Sequence, residues 1–382
     1  MARIPEIGLY TLFLRNANVN KSQPVLIYNN RYIAYYRMLS YIDSMSHYLS
    51  GKLKIMPGEP AVIIVREIPE FLISLFAMIK SGLNIIIIDP DDSFSIINEI
   101  KNSRITVASY NDYTSFSDYG NFIVSDSQFS SFKDMIIGSI RHINRKDVKF
   151  SNVIYTGKNS ENYENNSIIK FIRNGRKIRF DNDYIIKNVF NINYSMPKIE
   201  NRPYFKSDMP GYIPAGFIFS IMIPISFGGT IINGNSERSY DFSFDCMDNM
   251  PFYGYKNDSK SIYYYFRDLS LAVFDTEKYK IFEMFDYNIN DDRLFIYYNN
   301  YKICLDDIID NNLNVTRGNY IIRSCREIYP EFILKKLEPC NIDPEITIKG
   351  GSIEMAVKRY DYNCIKEHLS KFEMPDKINI YE

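Results

Sequence analysis

The chain has 382 residues, long enough for two or three folding units around a sizeable core. Its 45 basic and 46 acidic residues leave a formal charge of −1, so no global field draws it to nucleic acid or to an anionic membrane. With 46% hydrophobic and 24% charged residues it is neither disordered nor fibrous. Three histidines (47, 142, 368) and five cysteines (246, 304, 325, 340, 364), without a C-x-x-C pair, make neither a disulfide framework nor a zinc site expected.

The first sixteen residues lack an uninterrupted apolar run and a small-residue cleavage site, so no signal peptide and a cytoplasmic location are expected. From Tyr36 to Leu49, Leu39, Ile42, Met45 and Leu49 recur at helical spacing, and Gly51 follows as a stop. Ala61–Val65 is a continuous apolar run of the length of a strand covered on both faces. Pro69 and Glu70 suit the first turn of a helix whose apolar face is Phe71, Leu72, Leu75, Phe76 and Ile79, ended by Gly82. Ile85–Ile88, Ile105–Ala108 and Phe122–Val124 read as further strands, with a helix over Phe94–Ile100. This βαβαβ order predicts a doubly wound, mostly parallel sheet.

Beyond residue 150, Asn152–Thr156 and Ile168–Arg173 read as strands joined by a polar loop, and Asn174-Gly175 predicts a two-residue hairpin turn. Residues 151–180 carry six basic and two acidic residues, so this hairpin is either a phosphate-docking ribbon or simply a solvated one. Gly216–Ile232, interrupted by Pro224 and Gly228-Gly229, is too short and broken to span a bilayer and reads as a buried helix followed by a strand. Residues 236–310 are acidic, fifteen against eight basic. From Tyr320 the pattern is strand, helix (Glu331–Leu337), strand (Ile353–Val357), helix (Tyr362–Phe372), strand (Lys377–Ile380), a small α+β unit. The expected division is therefore a large α/β domain over 1–318, with halves at 1–150 and 151–318, and a small C-terminal domain over 319–382.

In this order the segments resemble the adenylate-forming superfamily of acyl-CoA synthetases, nonribosomal adenylation domains, fatty-acyl-AMP ligases and luciferases. Arg31 to Leu39 resembles that family's entry into its first helix. Met56-Pro57-Gly58-Glu59-Pro60-Ala61-Val62 resembles "pGD.vai", and Phe76 to Gly82 through Asp89-Pro90 resembles "a.lkaGa..vplDP". Cys304 to Gly318 resembles "TGDlgf.d.geL.vtGR", and Ile321 to Pro330 resembles "liivrGrniyP" with Cys325 in place of the glycine. Lys371 to Ile378 resembles the penultimate motif of the small domain.

The resemblance implies activation of a carboxylate with ATP and magnesium and transfer to a thiol of coenzyme A or a carrier protein. That chemistry needs a glycine-rich loop around the phosphates, a glutamate after "YG.T" for magnesium, an aspartate on the ribose hydroxyls and a late lysine on the small domain. By the resemblance, Thr156 and Gly157 open the phosphate loop, Tyr253 and Gly254 match "YG", and Asp306 with Arg317 match the ribose-binding stretch. The departures fall on the reacting positions. The loop after Gly157 has no further glycine and carries Glu161 and Glu164, Asn257 stands for the glutamate, and the chain ends at Glu382 before the lysine segment. Two readings follow from the resemblance. One is a ligase making an acyl-adenylate. The other is a degenerate homologue that keeps the fold as a partner for a carrier protein or an active ligase and binds AMP or ATP weakly. An unrelated α/β protein is a third. No G-x-S-x-G occurs, and His47 and His368 fall on predicted helices, so Ser/His/Asp catalysis is not expected.

Overall fold

The computed structural model describes residues 7–91, 96–126, 129, 142–155, 160–173, 176–180, 182–195, 201–207, 209–234, 238–246, 252–257, 260–267, 270–275, 278–280, 286–290, 293–298, 301–305, 321–323, 326–349 and 352–381. The chain divides into two compact units, Met1–Phe244 and Asp245–Glu382.

The first unit opens with α1 (Leu9–Val19), the hairpin β1 (Pro24–Tyr28) and β2 (Arg31–Ala34), and α2 (Tyr35–His47). Then come β3 (Pro60–Ile64), α3 (Ile68–Lys80), β4 (Asn84–Ile88), α4 (Ile96–Asn102), β5 (Ile105–Ala108), α5 (Tyr110–Phe116), β6 (Phe122–Val124) and β7 (Val148–Lys149). The hairpin β8 (Ile168–Arg173) and β9 (Arg176–Phe180) completes one sheet, in the order β7-β6-β5-β3-β4-β8-β9. Every pair is parallel except β8 with β9. After β4 the chain returns to the other side of β3 to lay down β5. The predicted doubly wound sheet is therefore present, and its switch point lies between β3 and β5.

Burial explains why these runs became central strands. Val62, Ile64, Ile86, Ile88 and Val124 share one core with Ile96 and Ile100 of α4 and Tyr113 of α5. All thirteen residues of α3 are buried, as expected of a helix enclosed on every side. It lies against β3 and β4 and also meets α1, α2 and β1. A smaller set of strands, β10 (Tyr204–Ser207), β11 (Thr230–Asn233) and β12 (Phe242–Cys246), extends β1 and β2 in the order β12-β10-β11-β1-β2. The apolar run before β11 is helical from Pro214 to Ser226, π-wound over Phe217–Met222, as the sequence led one to expect. No described helix is long and apolar enough to cross a membrane.

One expectation is corrected here. Asn152–Thr156 is not a strand, because Phe150–Ile154 forms a short helix. Phe150, Val153 and Ile154 are buried at i, i+3 and i+4, the spacing of one helical face, and that burial outweighs the β-branched character of Val153 and Ile154.

In the second unit β13 (Phe252–Asn257), β14 (Lys260–Arg267), β15 (Ser270–Asp275) and β16 (Lys278–Lys280) pair antiparallel in sequence. So do β17 (Asp286–Asn290), β18 (Arg293–Tyr298) and β19 (Tyr301–Leu305), and β20 (Ile321–Arg323) with β21 (Arg326–Ile328). The last stretch holds the helices Pro330–Leu337 and Tyr362–His368 and a sheet of β22 (Glu345–Lys349), β23 (Ser352–Val357) and β24 (Lys377–Ile380). Its own core is formed by Ile333, Leu337, Ile353, Met355, Val357, Ile365 and Leu369 with Ile328, Ile342 and Ile346. Lys336 and Glu373, both buried, form an ion pair of 2.7 Å at its base. A second correction belongs here: Cys340 and Cys364 form a disulfide. They are 24 residues apart in sequence, and only the packing of the two helices brings them together.

Candidate functional site

Thr156 and Gly157, expected to begin a phosphate loop, lie outside the described residues, and so do Asp306 and Arg317. Tyr253 and Gly254 lie on β13, in register with Tyr264 and Tyr263 of β14, so "YG" sits inside a paired strand. The residues on both sides of Thr156–Asn159 are described, and each is anchored to a helix. The Tyr155 ring meets Tyr41 of α2 edge-on, with centroids 5.6 Å apart. Ser160 Oγ lies 2.6 Å from Ser46 Oγ of α2, which lies 2.8 Å from Ser81 Oγ at the end of α3. The Tyr163 N–H donates to the Lys80 carbonyl at 2.7 Å.

Glu164 has the most consequential position. Helix α1 has no side-chain cap of its own, so its first-turn N–H groups require an acceptor. The Glu164 carboxylate accepts the Thr11 N–H at 3.0 Å and the Thr11 hydroxyl, and it also accepts Asn162 Nδ2 at 3.1 Å. An anion there also opposes the positive end of the helix dipole. Any side chain at the N-cap, Gly8, would run into this carboxylate. Glu164, which the sequence places in the loop after Gly157, thus caps α1. Glu161 is exposed and accepts the Tyr163 hydroxyl.

The same segment depends on how α3 ends. Leu83 N–H bonds Met78 O at 3.1 Å and Gly82 N–H bonds Ile79 O at 2.9 Å, a Schellman closure. Gly82 sits at φ +71°, and a Cβ there would come within 2.6 Å of the Tyr163 carbonyl oxygen. The polypeptide from Ser160 to Ser167 therefore clips the ends of α1, α2 and α3 together.

Open α/β sheets bind ligands in a crevice outside the carboxyl ends of their strands, which fixes where one is expected on the first sheet. Its rim is Arg66 and Glu67 after β3, Asp89 and Asp91 after β4, Ser109 and Asp112 after β5, and Ser125 and Asp126 after β6. Sequence reasoning overlooked them, although each follows a strand it had recognised. The Arg66 guanidinium bonds Asp112 at 3.4 Å and Asp91 at 3.2 Å, and the Arg66 backbone N–H donates to Ser109 Oγ at 2.9 Å. Ser109 Oγ donates to Glu67, Asp91 N–H to Asp89 at 3.0 Å, and the Ser151 hydroxyl to Asp126. Burial raises the Asp112 carboxyl above the usual range, with Arg66 pulling the other way.

Below the rim, Glu70 of α3 is 1% exposed. Its Oε1 accepts Ser125 Oγ at 3.2 Å, while Oε2 has no partner among the described residues, and neither does Ser74 Oγ one turn further along. Burial, reinforced by the Glu67 and Asp126 carboxylates, pushes Glu70 well above the ordinary carboxylate range. Arg66 is the one cation among these rim residues, against five carboxylates, so the crevice disfavours a polyphosphate. Its described carboxylates also do not come together in a set of three able to hold a metal ion.

No protein-family model matches this chain, and no curated protein sequence does. Solved structures do match. A double mutant of o-succinylbenzoate CoA synthetase from Bacillus subtilis, bound with a product analogue, superposes with a TM-score of 0.66 at 10% identity, covering 97% of this chain and 94% of that one. The fold is that of the adenylate-forming ligases. A fatty acyl-CoA synthetase from Mycobacterium tuberculosis follows at TM-score 0.57 and 11% identity, covering 98% and 94% of the two chains. An artificially fused adenylation–carrier di-domain from Klebsiella oxytoca gives 0.58 at 11% identity, with 97% and 85% covered. At these identities the fold is what is shared.

Proposed function

We propose that the chain is a degenerate relative of AMP-forming carboxylate-activating ligases, acting in the cytoplasm as a binding or scaffold partner for a carrier protein or an active ligase rather than as a catalyst. The observation that carries this reading is the clip from Ser160 to Ser167. A phosphate cradle offers backbone N–H groups and hydroxyls to a ligand. Here the Ser160 hydroxyl pairs with Ser46 of α2, the Tyr163 N–H is spent on the Lys80 carbonyl of α3, the Glu164 N–H on Asn162, and the Glu164 carboxylate caps α1. The residues described there do not fit an ATP triphosphate and magnesium. Removing a single charge-stabilising donor commonly costs a factor of roughly 10² to 10³ in rate, so a cradle whose groups are committed elsewhere leaves little catalysis.

Calorimetry with ATP and Mg²⁺, followed by acid-dependent pyrophosphate exchange across a panel of carboxylic and amino acids, tests the proposal. The expected outcome is weak or absent ATP binding and no exchange above background, with a carrier protein or ligase retained in a pull-down. Robust exchange that disappears in Asp306→Ala would replace this reading with an active ligase, one that activates its acid with ATP and passes it to coenzyme A or a carrier thiol.

A further inference from the structure

We propose that Cys340, Cys364 and His368 form a zinc site in the second unit, with the disulfide as its oxidised, metal-free state. Among the described residues these three are the one group whose ligating atoms gather, all within 4.8 Å of one another, and each is half-buried. Cys364 and His368 lie four apart on the helix Tyr362–His368, hence on one face of it. Cys340 ends the 3₁₀ turn Glu338–Cys340 that follows the neighbouring helix, and Asn341, at φ +51°, bends the chain immediately afterwards.

The geometry suits zinc closely. With Zn–S of about 2.3 Å and Zn–N of about 2.0 Å, a tetrahedral site requires S···N edges of about 3.5 Å and an S···S edge of about 3.8 Å. His368 Nδ1 stands 3.7 Å from Cys340 Sγ and 3.6 Å from Cys364 Sγ, so both S···N edges are already in place. Only the S–S edge must open, and reduction opens it. A cellular dithiol passes two electrons and two protons to the bond and leaves as its own disulfide. Zn²⁺ then displaces the two thiol protons. His368 Nδ1, which now lies 2.9 Å from the Cys364 carbonyl oxygen, exchanges that bond for the metal. Two thiolates and one imidazole leave the fourth position to water, the arrangement of an open zinc site. In a reducing compartment paired cysteines are more often metal ligands than structural disulfides, and the two borderline-soft ligand types select zinc over magnesium or calcium. The inference does not depend on whether ATP binds.

The test uses the full chain reduced with a phosphine and titrated with Zn²⁺ against a chromophoric chelator. One equivalent should bind, and both Cys364→Ser and His368→Asn should lower the affinity by roughly 100-fold, the upper end of what even supporting residues of such sites contribute. In the unmutated chain, Zn²⁺ should protect Cys340 and Cys364 from alkylation while Cys246, Cys304 and Cys325 react as before, a readout that no variant's folding can confuse. A reduced chain that binds no zinc, affinity unchanged in both substitutions, or protection spread over all five cysteines would overturn the proposal.

Discussion

Replacing Glu70 with glutamine should stabilise the protein at neutral pH and leave it nearly unchanged at pH 4. The carboxyl is 1% exposed, has one oxygen without a partner among the described residues, and faces Glu67 and Asp126. Its folded-state pKa is therefore raised well above the unfolded value of about 4.5. A raised carboxyl binds its proton more tightly in the native state. Its contribution to stability is thus intact below pH 4.5 and is lost as pH rises toward the folded pKa. The loss runs at up to about 1.4 kcal/mol for each pH step of one. The glutamine of Glu70→Gln keeps the shape and the acceptor for Ser125 but does not titrate, so the variant escapes that loss. Its advantage over the parent should therefore widen steadily from pH 4.5 toward neutral pH, until the folded-state pKa is passed. Urea unfolding followed by circular dichroism at half-unit steps from pH 4 to 8 measures the difference. Two curves that stay parallel across this range would refute the raised pKa of Glu70.

Three further outcomes follow from contacts described above. Glu164→Ala should destabilise the first unit by about 1–2 kcal/mol through the uncapped start of α1, and Glu164→Gln by less, as read by thermal unfolding. Gly82→Ala meets both a left-handed backbone and the Tyr163 carbonyl oxygen, so it should cost more than the roughly 1 kcal/mol of the conformation alone; loss of less than that would show that Tyr163 yields. Glu373→Ala leaves Lys336 buried without its carboxylate and should weaken the last stretch by about 3 kcal/mol, seen as proteolytic cleavage there before cleavage in the first unit.

What could be read from the sequence was whatever depends on near neighbours in the chain. Ile105–Ala108, Phe122–Val124 and Lys377–Ile380 match the structure residue for residue, and Asn84–Ile88 and Pro60–Ile64 within one, because a short β-branched run between turn residues carries its own signal. Helix α1 escaped notice for the opposite reason: its first-turn acceptor is Glu164, 153 residues away. The bond between Cys340 and Cys364 is likewise made by helix packing. The strand expected at Asn152–Thr156 failed because Phe150, which sets the helical period with Val153 and Ile154, lay outside the window considered. Of the candidate site, sequence reasoning located the strands that build the crevice but not the rim that follows them. Its charges acquire meaning only once β3, β4, β5 and β6 stand side by side.

The hairpin β8–β9 has one more consequence. β9 is the last strand of its sheet, so its outer row of N–H and C=O groups meets no further strand among the described residues. Such an open edge invites a strand from another molecule and, through it, aggregation. β9 is only five residues long and carries Arg176, Lys177 and Arg179, while Phe180 is turned into the core. At the opposite edge β7 is only two residues long. A strand as short as β9 and with so many basic residues in its sequence is a poor template for pairing with a second copy of the chain.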